Sequence, residues 1–389
     1  MRRRAIPPLL KDLNERTVLE TIRAGAPITR AEISRRVGIS KPTVSLALQS
    51  LLEAELVRET DHDPGRPTYG AVYFEPVPDA ALVLGFDLGA RFVRGAVCDL
   101  RGQILARQDV ELRRPGAEPA LEAMRTLAPS LLETTDKPLD LIDGCVVGVP
   151  GVVDAETRMI SLALNVPGLE ERPFVTELEE VLGLPVTADN DINLAALGER
   201  WQGIARGVED FVFLSVGTGF GAGLVLGGEL HRGHHGFAGE VDFALAGTDG
   251  DVDPSAVGVA GIASTLVAQD GSSETVVAPP YDARAIFAAA RSGDALAREV
   301  VAEVARRVAA HIAPIAAVAD VALVVLGGGL GTNGDLLLDP IRSLLAEWLP
   351  YPPRVEVSSL GDAAVLTGAV AVGLRAALDN VFVNRARRA

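Results

Sequence analysis

The chain has 389 residues, of which 48% are apolar and 23% are charged, and it carries a net charge of −16. This composition is typical of a globular protein with more than one domain, and it excludes collagen-like, disordered and disulfide-stapled chains. The chain has two cysteines, Cys98 and Cys145. Two are too few for a disulfide framework or an all-thiolate metal site, as expected in a reducing cytoplasm.

Charge is unevenly distributed along the chain. Residues 1–58 hold 11 Lys and Arg against 6 Asp and Glu, a net of +5, which leaves −21 on the other residues. An acidic surface does not attract nucleic-acid phosphates, so any such contact is predicted within the first ~75 residues. The most apolar later stretch, 321–330, is about half of the ~20 residues that span a bilayer. Neither a signal peptide nor a membrane span is predicted.

The first elements along the chain predict a helix-turn-helix. Apolar residues at helical spacing cover 14–24, and Thr29 then begins a capping box that opens a short second helix ending near Val37. Ser40 can cap a third helix, because its hydroxyl can accept from a free backbone amide of the first turn. The apolar stripe of this third helix consists of Val44, Leu48 and Leu51.

A wing is predicted to follow the third helix. Two short strands are predicted within 58–74 around a polar tip at 61–67. The segment 75–79 carries two prolines and no periodicity, and it is predicted to be a linker. The predicted domains are therefore 1–78, a winged helix-turn-helix domain with its linker, and 79–389, the body.

The body is predicted to be a duplicated α/β domain. One strand ends in Asp87-Leu88-Gly89 and another covers 211–216, and each is followed by a turn and a further strand. Helices between these units supply the crossovers of an α/β fold. The predicted fold class is α+β multidomain, with an N-terminal winged helix-turn-helix before the duplicated α/β body. The predicted body helices are 118–133, 173–182, 192–203, 282–290, 294–318, 334–348 and 362–378.

Polar residues on the third helix predict a DNA-reading surface. They lie opposite the apolar stripe, in the first turns of a helix that would enter a major groove. Arg66, at the wing tip, can enter a minor groove, where the potential is most negative. The alternative is a three-helix protein-interaction module with an incidental polar face. The candidate DNA-binding residues are Thr29, Arg30, Ser40, Lys41, Thr43, Ser45, Gln49 and Arg66.

Two glycine clusters in the body are candidate phosphate or nucleotide sites. The cluster at 217–223 offers successive backbone amides that can cradle a phosphate, although glycine-rich turns also form tight hairpins. The cluster at 327–329 follows a buried strand, where a nucleotide base or ribose can lie against bare backbone. Each pattern taken alone leaves both interpretations open.

Asp191 begins a predicted helix and is a candidate general base on a sugar hydroxyl during phosphoryl transfer. The alternative is an N-cap, a common role of Asp and Asn that the pattern alone favours. Three of the five histidines lie within 231–235. No cysteine is near them and glycines separate them, which favours a loop lining a cleft over a zinc site.

In this order, the motifs resemble the ROK family of repressors and sugar kinases, specifically the transcription-factor branch in which a winged helix-turn-helix precedes a kinase-like domain. The resemblance covers nearly the whole chain. It rests on Lys41-Pro42-Thr43-Val44-Ser45, Gly65-Arg66-Pro67, Gly85-Phe86-Asp87-Leu88-Gly89, Gly148-Val149-Pro150-Gly151-Val152-Val153-Asp154, Asn165-Val166-Pro167-Gly168, Asn190-Asp191-Ile192-Asn193, Gly217-Thr218-Gly219-Phe220-Gly221-Ala222-Gly223, His235-Gly236-Phe237-Ala238-Gly239-Glu240 and Gly327-Gly328-Gly329.

The resemblance implies an actin-like, hexokinase-type fold whose two lobes close on a sugar. It implies a double-stranded DNA operator, a small-molecule sugar effector and a homodimer or homotetramer. Asp191 matches the catalytic base of the family's kinases. The implied sugar contacts are Asn165, Asn190, Asp191 and Glu240. The implied phosphate or nucleotide contacts are Asp87, Gly89, Gly217, Thr218, Gly219, Gly221 and Gly328.

The chain departs from the kinase pattern in three places. The kinases' first phosphate loop runs Asp-x-Gly-Gly-Thr, whereas here Gly89 continues into Ala90-Arg91, which argues against ATP binding. Phe243 stands where the family has a His that supports both the sugar and a structural zinc. The segment 249–258 replaces the family's cysteine-rich zinc segment and a carboxylate that usually touches the sugar. We expect neither zinc nor another cofactor, and weakened or redirected sugar recognition, at about 0.5–3 kcal/mol per lost hydrogen bond.

The sequence therefore predicts a cytoplasmic, sugar-responsive DNA-binding regulator. The predicted action is repression of carbohydrate-metabolism genes, by a body that senses sugar with little or no turnover. One alternative is an active ATP-dependent sugar kinase that carries a DNA-binding domain. A second is a constitutive DNA-binding protein whose body only mediates oligomerisation.

Overall fold

The computed structural model describes most of the chain, namely residues 7–60, 71–137, 141–245, 247, 251–270 and 275–388. The predicted wing tip, including Arg66, lies outside these ranges, as does Asp249. Among the helices within them, none is long and apolar enough to cross a membrane.

Three helices and a small antiparallel sheet form the N-terminal domain, and the predicted helix caps are confirmed. The Thr29 hydroxyl accepts from the Glu32 amide at 3.3 Å, and the Ser40 hydroxyl accepts from the Thr43 amide at 3.4 Å. Gly38, at a φ of 69°, ends the second helix in a conformation that favours glycine. The elements are α1 Pro7–Gly25, β1 Ile28–Thr29, α2 Arg30–Val37, α3 Lys41–Glu53, β2 Val57–Thr60 and β3 Tyr73–Pro76.

The predicted linker at 75–79 is more ordered than the sequence indicates. Its first two residues belong to β3, the middle strand of the sheet β1-β3-β2. Arg58 on β2 donates to the Glu75 carboxylate at 2.6 Å, and the Val77 amide donates to the Leu56 carbonyl at 2.9 Å. These long-range hydrogen bonds order a proline-containing segment that has no periodicity of its own.

The first lobe of the body is a five-stranded sheet in the order β10-β7-β4-β5-β6. Its central strand, β4, is buried along its whole length, which explains the apolar run in the sequence. The elements are β4 Leu82–Leu88, β5 Phe92–Asp99, β6 Ile104–Glu111, α4 Ala117–Thr135, β7 Ile142–Val149, β8 Val152–Val153, β9 Ile160–Ser161, α5 Phe174–Leu182, β10 Val186–Asn190 and α6 Asp191–Trp201.

The second lobe repeats this sheet in the order β13-β12-β11-β14-β15. In each lobe two antiparallel pairings are followed by two parallel ones, so the predicted duplication is confirmed. The elements are β11 Phe211–Val216, β12 Phe220–Leu226, β13 Glu229–His231, α7 Ala256–Asp270, α8 Ala283–Ser292, α9 Ala295–Ala319, β14 Leu323–Gly327, α10 Gly328–Gly331, α11 Gly334–Trp348, β15 Arg354–Val357 and α12 Ala364–Arg388.

Two helices of the body, α7 and the four-residue α10, are absent from the sequence-based prediction, and α7 is the longer. The α7 sequence, AVGVAGIASTLVAQD, is apolar on most sides and includes Gly258 and Gly261. A uniformly apolar segment has no 3.6-residue period, and glycine is a poor helix former. Tertiary packing against α9, not local pattern, therefore determines this helix.

The two lobes meet where α6 crosses α12, the equivalent helices that follow the last strand of each sheet. A Cβ at Gly198 would lie 2.3 Å from the Ala364 carbonyl oxygen. A Cβ at Gly368 would overlap the Leu194 carbonyl oxygen, because the two atoms would lie closer than the sum of their van der Waals radii. The helix backbones are therefore in direct contact at these glycines.

The N-terminal domain shares a hydrophobic core with the first lobe. Val18 on α1 and Leu51 on α3 belong to one buried cluster with Leu100 and with Leu374 on α12. Arg23 donates from Nε to the Leu100 carbonyl at 2.7 Å across the same boundary. One buried cluster therefore links helices α1 and α3 to α12, one of the two crossing helices.

Candidate functional site

A cleft site is built around the junction of β10 and α6. Asn190 ends the strand and caps the helix, because its Oδ1 accepts from the Asn193 amide at 3.0 Å. Its Nδ2 donates to the Gly151 carbonyl at 2.9 Å, which fixes the side chain on both sides. Asp191 is the first helical residue, and its Oδ1 accepts from the Ile192 amide at 2.8 Å. The N-cap is therefore Asn190, and the Asp191 carboxylate is left available to a ligand.

Three carboxylates from different elements converge at this junction. Burial, Asp87 and Glu240 together raise the pKa of Asp191 from its ordinary 3.8 to about 7. Burial also raises the pKa of Asp87, and burial together with Asp242 raises that of Glu240. Asp191 can consequently take or hold a proton near neutral pH, as a general base or a hydrogen-bond partner of a hydroxyl requires.

The hairpin of β4 and β5 places one cationic side chain, Arg94, beside Asp87. The turn between β4 and β5 closes through the Gly89 amide, which donates to the Phe92 carbonyl at 2.9 Å. Arg94, opposite Asp87 in the sheet, donates to the Asp87 carboxylate at 2.9 Å. The Arg91 side chain is 63% exposed and lies 3.8 Å from the Glu111 carboxylate. The sequence analysis identified Arg91 as a departure but missed Arg94, which only the strand register pairs with Asp87.

The glycine cluster at 217–223 forms a hairpin turn and also reaches the candidate site. Gly217 donates its amide to the Gly219 carbonyl at 2.9 Å, between the paired strands β11 and β12. A Cβ at Gly219 would lie 3.2 Å from Asn165 Nδ2, and one at Gly217 would lie 3.3 Å from the Gly329 amide. Thr218, at the tip, is exposed. The hairpin interpretation is therefore confirmed, whereas the phosphate cradle stays a prediction.

Gly328 and Gly221 require glycine for different reasons. Gly328 has a φ of 77°, and a Cβ there would lie 2.5 Å from the Val216 carbonyl oxygen. A Cβ at Gly221 would lie 2.6 Å from the Ile192 side chain, at the start of α6. Gly328 thus lets α10 lie against β11 within the second lobe, whereas Gly221 lets β12 approach the start of α6.

Glu240 lies on a segment docked onto β12. The Ala222 amide donates to the Gly239 carbonyl at 2.8 Å, and Gly239 has a φ of 106°. The histidine-containing loop precedes this segment, and its Arg232 forms an ion pair with Asp189 beside the α6 junction. The side chains of all three loop histidines, His231, His234 and His235, are exposed.

The structure therefore brings together only some of the sugar-contacting residues that the resemblance implies. Asn190, Asp191 and Glu240 belong to one site, whereas Asn165 is exposed on a loop of the first lobe and contacts the hairpin at Gly219. Phe243, which stands at the family's His position, is 54% exposed and stacks at 5.3 Å on Phe237. It supplies an apolar surface at the edge of this site.

Zinc does not fit the residues present. The two cysteines are buried in strands β5 and β7 of the first lobe. Within the described part of the chain, no three His, Cys, Asp or Glu side chains are grouped to hold a metal ion. Structural zinc sites require four such ligands in tetrahedral geometry.

A polar surface on α3 forms the candidate DNA interface. Lys41 and Gln49 are exposed, and Arg30 on α2 donates to the Ser45 hydroxyl at 3.1 Å, which joins the two helices. Leu46, 68% exposed on the same helix, was missed by the sequence analysis. An exposed leucine at this position can contact a thymine methyl group in a major groove.

The fold and these sites define a class: a winged helix-turn-helix domain fused to a two-lobed, sugar-kinase-like domain. Residues 83–376 match the model of the ROK family, and residues 11–58 match that of winged helix-turn-helix DNA-binding domains. The chain belongs to the ROK family.

Individual relatives include regulators and kinases. The chain is 28% identical over 385 residues to the xylose repressor of Caldicellulosiruptor bescii, covering 94% of this chain and 96% of that protein. It is 30% identical over 318 residues to the glucokinase of Halalkalibacterium halodurans, covering 73% and 93%. The crystal structure of a ROK family transcriptional regulator, a homologue of the E. coli Mlc protein, superposes with a TM-score of 0.80 at 22% identity, covering 98% of this chain and 100% of that one. The glucokinase match covers a smaller share of this chain than the other two, whose 94% and 98% include most of the N-terminal domain.

Proposed function

We propose that this protein is a DNA-binding transcriptional repressor of carbohydrate-metabolism genes whose kinase-like body responds to a sugar or sugar derivative. The observation that carries the proposal is the position of α12. This helix crosses α6, which begins at Asp191 in the cleft, and it shares a buried core with α1 and α3 of the DNA-binding domain. The cleft and the DNA-reading surface are thus connected through two packed helices.

The proposed mechanism is closure of the two lobes on the ligand. Glu240 belongs to the second lobe and Asn190 to the first, so a sugar held by both changes the angle at which α6 crosses α12. Rotation of α12 moves the winged domain packed on it, and with it the spacing of the recognition helices in an oligomer. A sugar shifts this equilibrium only as far as it binds one state better than the other.

The test is the affinity for DNA from upstream of the gene, followed by fluorescence anisotropy at fixed salt, since phosphate contacts make affinity salt-dependent. Sugars are added with and without ATP, beginning with xylose because one relative is named a xylose repressor. A sugar that changes the affinity without ATP is expected. Tight binding that no sugar or sugar phosphate changes would contradict the sensing role and favour the constitutive alternative.

We further propose that the body turns over little or no ATP and that the protein acts as a homodimer or homotetramer in the cytoplasm. Two arginines support the absence of turnover, because Arg94 on β5 already pairs with Asp87 and Arg91 stands where the kinases have a hydroxyl. Sedimentation velocity of the free protein tests the assembly, and a monomer bound to a single half-site would contradict it.

A sugar kinase is the second candidate function, and the raised pKa of Asp191 favours it. A carboxylate with a pKa of about 7 is suited to general base catalysis near neutral pH. We expect no ADP release above background with a panel of pentoses, hexoses and amino sugars. Sugar-dependent release that disappears in Asp191→Asn would establish the kinase instead.

The DNA interface leads to a separate prediction for Lys41. Lys41→Gln is expected to weaken operator binding at every sequence tested and to reduce the slope of log affinity against log salt by about 1, because one phosphate contact is lost. Lys11→Gln on α1 is the matched control, since the Lys11 side chain is 66% exposed and pairs with Glu15 at 3.5 Å. Equal salt slopes in the two variants would exclude Lys41 from the interface.

A further inference from the structure

The segment 251–256 lies where the family has its cysteine-rich zinc segment, and here α9 holds it. Arg307 on α9 is buried, with 7% of its surface exposed. Its Nη1 donates to the Asp251 carboxylate at 2.9 Å and to the Asp253 carbonyl at 2.8 Å. Its Nε donates to Glu303 at 3.0 Å, one turn earlier on the same helix. A buried guanidinium with this many acceptors fixes the backbone it contacts.

His311, one turn after Arg307, contacts the same segment. It is 1% exposed, and its Nε2 lies 3.1 Å from the Val252 carbonyl, so Nε2 carries the proton and donates. Its ring packs edge-on against Phe220, with centroids 4.6 Å apart. Burial lowers the pKa of His311, which keeps the ring neutral at physiological pH. Phe220 directly follows the glycine hairpin, so α9 also contacts that hairpin from its second strand.

The held segment leads directly to the candidate site. Asp253 accepts from the Ser255 amide at 2.7 Å and from its hydroxyl at 2.8 Å, which shapes the turn into α7. The next amide, that of Ala256, donates to the Gly217 carbonyl at 2.9 Å. A continuous chain of hydrogen bonds thus runs from α9 through 251–256 to the hairpin that contacts Asn165.

We propose that Arg307 and His311 are positioning residues that hold segment 251–256 and, through it, the Gly217 hairpin, without a metal ion. Together they fasten this segment to the body of the lobe. The positioning itself is independent of the ligand, and only its effect on sugar binding rests on the proposed function.

The first test is amide hydrogen exchange of the full-length protein, with no sugar present. Arg307→Met is expected to accelerate exchange at Ala256 and across the hairpin by about tenfold or more, the effect of losing hydrogen bonds to a charged group. Arg306→Met is the matched control, because the neighbouring Arg306 pairs with Glu303 on its own helix and its side chain is 48% exposed. Equal exchange in the two variants would overturn the proposal.

Three milder variants cover the case in which Arg307→Met does not fold. Asp251→Asn removes one charged acceptor whose side chain is 58% exposed, so the fold is expected to survive. His311→Gln retains an N–H donor, whereas His311→Phe removes it, and faster exchange at 251–256 is expected only in the Phe variant. Faster exchange in both His311 variants, or in neither, would show that the hydrogen bond to the Val252 carbonyl does not hold the segment.

Metal dependence and sugar binding complete the experiment. Dialysis of the unmodified protein against EDTA is expected to change neither the exchange at 251–256 nor the melting temperature. Stoichiometric zinc whose removal loosens this segment would overturn the proposal.

Arg307→Met is also expected to weaken sugar binding about tenfold while operator affinity without sugar is unchanged. If the unmodified protein responds to no sugar, the proposed function fails, whereas the exchange comparison still decides the positioning role.

Discussion

Replacing Asp191 with Asn is expected to abolish the effect of sugar on operator binding while leaving operator binding itself intact. The carboxylate begins α6, and its Oδ1 is held by the Ile192 amide, so its second oxygen is left to accept from a sugar hydroxyl. A hydrogen bond to a charged group contributes about 1.5–3 kcal/mol, so sugar affinity is expected to fall by roughly 10- to 100-fold. Sugar titrations followed by melting temperature and by DNA anisotropy measure both properties.

The same substitution is expected to stabilise the sugar-free protein above pH 7. The pKa of Asp191 is raised from its ordinary 3.8 to about 7. Below its ordinary pKa the carboxyl is neutral in both the folded and the unfolded protein. As pH rises toward 7 the unfolded chain loses this proton first, so folding stability falls, by up to about 4 kcal/mol at pH 8. Asn has no charge to bury, so the gain in melting temperature should be larger at pH 8 than at pH 5.

Asp339→Asn is the control for both effects, because Asp339 is exposed on α11. It is expected to leave the sugar response unchanged and to show no pH-dependent gain in stability. A normal sugar response in Asp191→Asn would remove Asp191 from the site. An equal gain at pH 5 and pH 8 would contradict the raised pKa of its carboxyl. Stability gained at the cost of ligand response is common where a buried charge serves a binding site.

The features that the sequence alone predicts correctly are those with a local physical cause. Thr29 and Ser40 were predicted as caps, and their hydroxyls accept amides three residues ahead in the chain. The apolar stripe Val44, Leu48 and Leu51 was predicted to be buried, and each is at most 3% exposed. The duplicated body was predicted from two strand-turn-strand units, since the chemistry of each turn lies within a few residues.

Contacts between residues that lie far apart in the chain could not be predicted from the sequence. Arg94 pairs with Asp87 only because β4 and β5 align in one register, and a shift by one residue would point it to the other side of the sheet. Arg307 reaches Asp251 across 56 positions of the chain. Asn190 donates from Nδ2 to the Gly151 carbonyl across 39 positions. A segment of a few residues contains no signal for any of these contacts.

The crossing of α6 and α12 leads to the second large expected effect. Gly368→Ala is expected to lower the free energy of unfolding by about 1–3 kcal/mol or more, since that is the usual cost of adding a methylene where there is no space. The added Cβ would overlap the Leu194 carbonyl oxygen and contact its carbonyl carbon, both backbone atoms that no rotamer change can move. Relief requires the two helices to separate, so the link between the cleft and the DNA-binding domain is expected to weaken as well.

Gly261→Ala provides the matched control within the same fold. Gly261 is also helical, on α7, and the nearest atom to an added Cβ is Asp251 Oδ2 at 3.8 Å. Alanine is the better helix former, so this variant is expected to gain about 0.4–1 kcal/mol. Urea unfolding compares the two free energies, and sugar-dependent DNA anisotropy compares the coupling. If Gly368→Ala unfolds like Gly261→Ala and keeps its sugar response, the helix crossing does not transmit the signal. If it binds both sugar and operator but no longer couples them, the signal passes through this contact.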